Sequence, residues 1–154
     1  MRRATSILAG LAILTTVTVS CGNGGDGGAA RPDPASPSTN GASAITVGVT
    51  LLDFEVIAEP SSTTPGPVTF EVITSGTHSF SVFRTELPAD DLPTLPSGSA
   101  DVTSPDIEVV EFTEPLPPGE TTSVSVDLSA GRYVLICNLV NHYALGMYAP
   151  FTVG

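Results

Sequence analysis

The sequence predicts an all-β fold, a Greek-key β-sandwich or barrel of seven or eight strands. Three observations predict it. Apolar and polar residues alternate with period two in one short run after another. Gly and Pro, 15 and 14 of the 154 residues, fall between those runs, where turns belong. No stretch carries the 3.6-residue periodicity of an amphipathic helix, so many short strands joined by turns is the expected architecture.

The first 20 residues stand outside that pattern. Arg2 and Arg3 make a short positive start, Ile7 to Val19 an apolar stretch, and small residues lead to Cys21. This is the pattern of an export signal, and its apolar part is too short for a membrane span. Thr18-Val19-Ser20-Cys21 resembles the lipobox of bacterial lipoproteins, although that motif usually has Leu where Thr18 stands. The resemblance implies a lipid on Cys21 and an anchor at the outer face of the cell membrane. Without the lipid, the chain is expected to be secreted or periplasmic. Residues 21–43 are Gly, Pro, Ser and Ala with almost no bulky apolar side chain. Such a segment buries too little surface to offset its chain entropy and is expected to be a flexible linker.

Residues 44–154 are the expected folded domain. Ile45, Val47, Val49 and Leu51 alternate with polar or small residues, and Phe54 and Val56 alternate with Asp53 and Glu55. Pro65-Gly66-Pro67 turns the chain into Val68, Phe70 and Val72. Ser75-Gly76 turns it again, ahead of His78, Phe80 and Val82 on one face. A strand is expected near Ile107 to Phe112, another at Val124, Val126 and Leu128, and another at Tyr133 to Cys137 after the Ala130-Gly131 turn. The last covers about Met147 to Val153. The stretch from Glu86 to Pro105 (ELPADDLPTLPSGSADVTSP) is the least regular, and reads as a loop with room for a helical turn. Tyr133 reads as a structural strand-end or corner tyrosine.

Charge narrows the function. Sixteen acidic residues face five basic ones, for a net −11, and every basic residue is Arg. Removal of the signal takes two of those five. Such a surface repels phosphate backbones, which excludes nucleic acid as a partner. It is also held off an anionic bilayer unless tethered.

With Cys21 acylated, Cys137 has no cysteine to pair with. A lone thiol in an oxidising compartment calls for a role, and metal ligation supplies one. Cys137, His142 and Met147 follow one another with four residues between each pair, across the junction of the last two strands. The chain's other His, His78, opens a separate strand. Copper(I) favours soft sulfur and both copper oxidation states accept imidazole. Two His, one Cys and a weak axial Met are therefore the donors of a mononuclear electron-transfer copper site. Zinc gains little from a thioether and prefers a fourth strong ligand.

These residues resemble the cupredoxins, in particular their small plastocyanin-, rusticyanin- and sulfocyanin-like bacterial members. The likeness rests on Gly131-Arg-Tyr-Val-Leu-Ile-Cys-Asn138, on His142-Tyr-Ala-Leu-Gly-Met147, and on Gly76-Thr-His-Ser-Phe80 with Arg84-Thr-Glu-Leu-Pro-Ala-Asp90 behind it. With the strand pattern it covers about Ile45 to Val153. It implies one copper ion, cycling between Cu(I) and Cu(II), with His78, Cys137 and His142 as equatorial ligands and Met147 as the long axial one. It places the Ser79 backbone N–H against the cysteine sulfur, with Asn138 bracing from the loop. It further implies a monomer and a cytochrome or terminal oxidase as redox partner. The loop His edge usually surfaces in an apolar patch, for which Val140, Tyr143, Ala144 and Leu145 are the candidates. Two positions depart from the family pattern. Val140-Asn141 stands where Pro-Gly often precedes the loop His, and Ser75 where Asn often precedes the Gly. The first means that the family's loop stiffness, and with it the reduction potential, does not carry over.

The function expected is thus a single-electron carrier outside the cytoplasm. The alternative on the same site is a protein that buffers or delivers copper, for which a Met- or His-rich, more open site is expected. An oxidase or reductase needs further His for further copper centres. The chain has two His in all, both already used, so no enzyme is expected.

Overall fold

The structure, a computed structural model, describes residues 43–154. The expected signal 1–20, and all of the expected linker 21–43 except Ser43, lie outside the described residues. The described residues form nine strands: β1 (Ile45–Leu52), β2 (Glu55–Glu59), β3 (Ser62–Thr63), β4 (Gly66–Thr74), β5 (Ser81–Arg84), β6 (Glu108–Phe112), β7 (Thr121–Leu128), β8 (Gly131–Ile136) and β9 (Tyr148–Val153). They form two sheets, β2-β1-β4-β7 and β3-β9-β8-β5-β6. No helix occurs among the described residues. Eight of these strands answer to the apolar runs of the sequence. The ninth, β3, is two residues long and carries no alternation to read.

Alternation sets the inner faces. Val47, Val49 and Leu51 of β1 and Val68, Phe70 and Val72 of β4 are buried, while their neighbours along each strand are more open. They meet Val82, Tyr133, Leu135, Phe151 and Val153 from the facing sheet, in one continuous core. Phe70 stacks at 5.3 Å on Phe80 and at 5.6 Å on Phe151, joining the two sheets at the centre. Tyr133 donates its hydroxyl hydrogen to the Ser129 carbonyl at 2.8 Å, four residues upstream, which is the corner tie of Greek-key sandwiches.

β5 and β8 depart from alternation for a physical reason. The outward side chains Phe83, Val134 and Ile136 are buried as well, under a second cluster with Leu92, Ala100, Ile107 and Tyr143. Leu92 and Ala100 belong to the irregular stretch 86–105 and Ile107 lies just beyond it. That stretch therefore lies across the outer face of the sheet. It holds no helical turn, only tight turns and an isolated bridge between Thr94 and Ala100.

Three local boundaries differ from the sequence reading. Asp53 and Phe54 are the turn between β1 and β2, not the start of a strand, and Phe54 has φ 64°. His78 precedes β5 and is pinned to Leu116 by an isolated two-hydrogen-bond bridge, 3.2 Å and 2.7 Å. Cys137 and Met147 sit just outside β8 and β9, bonded to each other through Cys137 N–H and the Met147 carbonyl at 3.0 Å. All three shifts put chemically active residues at strand ends, where the backbone is free to aim them.

Candidate metal centre

Four donors converge at one end of the sandwich. His78 arrives on the Leu116 bridge, after a turn that Thr74 closes by donating its hydroxyl to the Gly76 carbonyl at 2.7 Å. Cys137, His142 and Met147 come from the hairpin joining β8 to β9. Its backbone is tied from within: His142 N–H to the Leu139 carbonyl and Met147 N–H to the His142 carbonyl, both at 3.0 Å. Sequence spacing alone does not make the three meet; these bonds do.

The two imidazoles face each other through Nδ1, 3.2 Å apart. Cys137 Sγ lies 3.9 Å from Nδ1 of His78 and 3.4 Å from Nδ1 of His142, and Met147 Sδ is 3.1 Å from the latter. Atoms that share a first-row ion at about 2.0–2.3 Å stand roughly 3–4 Å from one another, so the grouping suits one ion. The chemistry suits it too. Turned so that both Nδ1 atoms present lone pairs, the two imidazoles, the cysteine sulfur and the thioether aim four acceptors at one point, and a cation there would satisfy all four. The donor set and its grouping are those of a type 1 copper site.

Burial is uneven, and the unevenness matters. Cys137 and Met147 are fully buried and His78 is 1% exposed, whereas His142 is half-buried. The His142 edge thus gives the cluster its most open side. The His78 pKa is lowered from its ordinary value, first by burial and then by His142, with Asp53 opposing both. A lowered pKa keeps the ring neutral near pH 7, as a ligand must be.

Outer contacts fix the donors. The Ser79 backbone N–H donates to Cys137 Sγ at 3.3 Å, as the resemblance implied. Asn138 braces the loop from a direction the sequence did not reveal. Its Oδ1 accepts from Ala100 N–H at 2.7 Å and its Nδ2 donates to the Ala100 carbonyl at 3.2 Å. The same segment accepts Asn141 N–H on the Ser97 carbonyl (2.8 Å) and Ala144 N–H on the Gly98 carbonyl (3.0 Å). Tyr143 completes the brace: its hydroxyl accepts from Leu92 N–H at 2.8 Å and donates to the Ala89 carbonyl at 3.0 Å.

This brace answers the departure at Val140-Asn141. Asn141 takes φ 65°, the left-handed conformation for which Gly is preferred and which Asn tolerates. Gly98 lies so close that a Cβ there would stand 2.6 Å from Asn141 Oδ1 and 3.0 Å from its Cα. Stiffness comes from tertiary contact in place of a proline ring. Asn138→Ala is therefore expected to leave two buried Ala100 groups unpaired, at about 1–3 kcal/mol each. Thermal melting of the copper-free protein checks the loss.

The apolar rim differs from the one expected. Val140 and Leu145 are 65% and 55% exposed and Ala144 is exposed, but Tyr143 is buried, held by the two bonds just described. Phe54 takes its place. Its ring, half-exposed, meets the His142 ring edge-on at 6.1 Å. Phe54 was legible only as part of an alternating run.

No family model and no curated protein matches the chain. Solved structures do. The chain is similar to auracyanin from the photosynthetic bacterium Roseiflexus castenholzii, with 19% identity and a TM-score of 0.52 over 72% of this chain and 98% of that one. It is similar to auracyanin A, a "blue" copper protein of Chloroflexus aurantiacus, with 17% identity and 0.53 over 71% and 98%. Rusticyanin from Thiobacillus ferrooxidans gives 20% identity and 0.52 over 73% and 79%. The fold of residues 43–154 is the cupredoxin fold.

Proposed function

We propose that this chain is a type 1 copper protein that carries single electrons outside the cytoplasm, with copper held by His78, Cys137, His142 and Met147. One observation carries the reading: two imidazoles, a thiol and a thioether, brought from two separate places in the chain, meet inside a buried end of the sandwich. Bound there, a copper ion supplies the one-electron Cu(I)/Cu(II) couple.

The residues do the rest. Cys137 and both His provide strong donors, and Met147 a weak one that favours copper over zinc. The hairpin bonds, the Ser79 N–H and the Asn138–Ala100 pair hold these donors nearly fixed, so little has to rearrange when an electron arrives or leaves. His142 supplies the route out: it is the one donor residue that is not buried, the half-exposed Phe54 meets its ring edge-on, and the exposed Val140 and Leu145 flank it on the same hairpin. A redox protein such as a cytochrome or oxidase would dock on that apolar rim. The full burial of Cys137 and Met147 favours a carrier over a protein that must hand its copper on. We place the chain on the outer face of the cell membrane, tethered by a lipid on Cys21 and the segment that follows, and working as a monomer.

Voltammetry of the copper-loaded protein tests this directly. A reversible one-electron wave is expected from the wild type. His142→Ala is expected to lose both the wave and the blue absorption. Full electron exchange by that variant would overturn the assignment.

A further inference from the structure

His78 has a second nitrogen that the metal reading does not use. Nε2 is buried away from water, with no well-formed hydrogen bond of its own. A buried N–H without a partner is costly, so what lies beside it matters. Asp53 lies beside it, with Oδ1 3.4 Å from Nε2, long for a hydrogen bond. The aspartate belongs to the β1–β2 turn, on the other sheet.

Two features of the chain serve this approach. Gly76 lies against both groups: a Cβ there would stand 2.8 Å from Asp53 Oδ1 and 2.8 Å from His78 Nε2. Its φ is not in the left-handed region, so it is the space between carboxylate and imidazole that requires glycine. The turn itself is held in an unfavourable conformation. Phe54, a bulky residue, sits at φ 64°, a state that costs of order 1–3 kcal/mol and persists only when its surroundings enforce it. Its carbonyl packs against Gly146 of the ligand hairpin, where a Cβ would stand 3.2 Å away. Thus one turn touches both halves of the metal centre, Asp53 at His78 and Phe54 at His142.

We propose that Asp53 is a positioning residue for the centre: its carboxylate, reaching over Gly76, takes the Nε2–H of His78, fixes the ring with Nδ1 turned inward, and makes it a stronger donor to oxidised copper. Carboxylate partners of ligand imidazoles hold the tautomer and raise ligand basicity. The inference rests on the copper reading above. The Asp53 side chain is 79% exposed, so its free charge is screened and its effect must pass through contact with Nε2. That separates it from any other acid at this end of the molecule, such as the exposed Glu55 two residues on.

The test compares the full chain with its Asp53→Ala, Asp53→Asn and Glu55→Gln variants, reading Cu(II) and Cu(I) affinities and the reduction potential. Asp53→Ala is expected to weaken Cu(II) binding about 10–100-fold. Cu(I) binding should weaken less, so the potential rises by about 59 mV for each tenfold difference between the two losses. Asp53→Asn, which keeps the shape and one acceptor oxygen, should move the same way by less. Glu55→Gln should shift none of the three. Equal shifts in Asp53→Ala and Glu55→Gln, or an unmoved potential in both Asp53 variants, would overturn the inference while leaving a blue wild type intact. A wild type that takes up no copper would overturn the copper reading, and this inference with it.

Discussion

Replacing Cys137 by serine is expected to abolish the blue absorption and the reversible redox wave completely, with the fold retained. The intense colour of such a centre arises from charge transfer between a thiolate and Cu(II), and Cys137 is the one cysteine among the described residues. A serine hydroxyl is harder, stays protonated near neutral pH, and offers no such transition. Sulfur is also what suits Cu(I), so the reduced state loses more than the oxidised one. The side chain is fully buried, yet the cavity accepts oxygen in place of sulfur and Ser79 N–H remains as its neighbour. Circular dichroism should therefore be unchanged while visible absorption vanishes. Cys21→Ser, the matching control, should keep the colour.

Phe70→Ala is expected to destabilise the copper-free domain strongly. Phe70 is wholly buried at the midpoint between the sheets, and its ring contacts both Phe80 and Phe151. Truncating a buried Phe costs about 3–5 kcal/mol, because transfer free energy is lost and the cavity closes only in part. Whole domains of this kind are stable by about 5–15 kcal/mol, so a large share of the reserve goes. The midpoint of thermal unfolding should fall by roughly 15–30 °C. Copper held more tightly by the assembled centre than by the unfolded chain should recover part of that fall. A scan with and without Cu(II) reads both effects, and an unaltered midpoint would contradict the placement of Phe70 at the centre.

How far the sequence reached is clearest at particular residues. β1, β4 and β7 were legible because each has one face on the core and one more open, which writes period two into the chain. The four donors were legible because soft sulfur and imidazole at fixed spacing have few other uses. The brace was not. Leu92, Ala100 and Ile107 have irregular spacing, and they bury only because β5 and β8 present a second apolar face that a run of valine, leucine and isoleucine does not advertise. Asp53 and Phe54 were misread for a related reason. Alternation continued across them by chance, whereas a two-residue turn with positive φ at Phe54 is a tertiary outcome, enforced by its packing on the ligand hairpin. Gly76 looked like ordinary turn chemistry, and its real constraint, the gap between a carboxylate and an imidazole, is visible only in three dimensions.

The most direct measurement is a titration of the wild-type protein with Cu(II), followed by visible absorption and then by a mild reductant and reoxidation. Intense blue colour that saturates at one equivalent, bleaches on reduction and returns on oxidation is the expected result. Copper taken up without that colour, or colour that does not come back, would contradict an electron-carrying centre built from His78, Cys137, His142 and Met147.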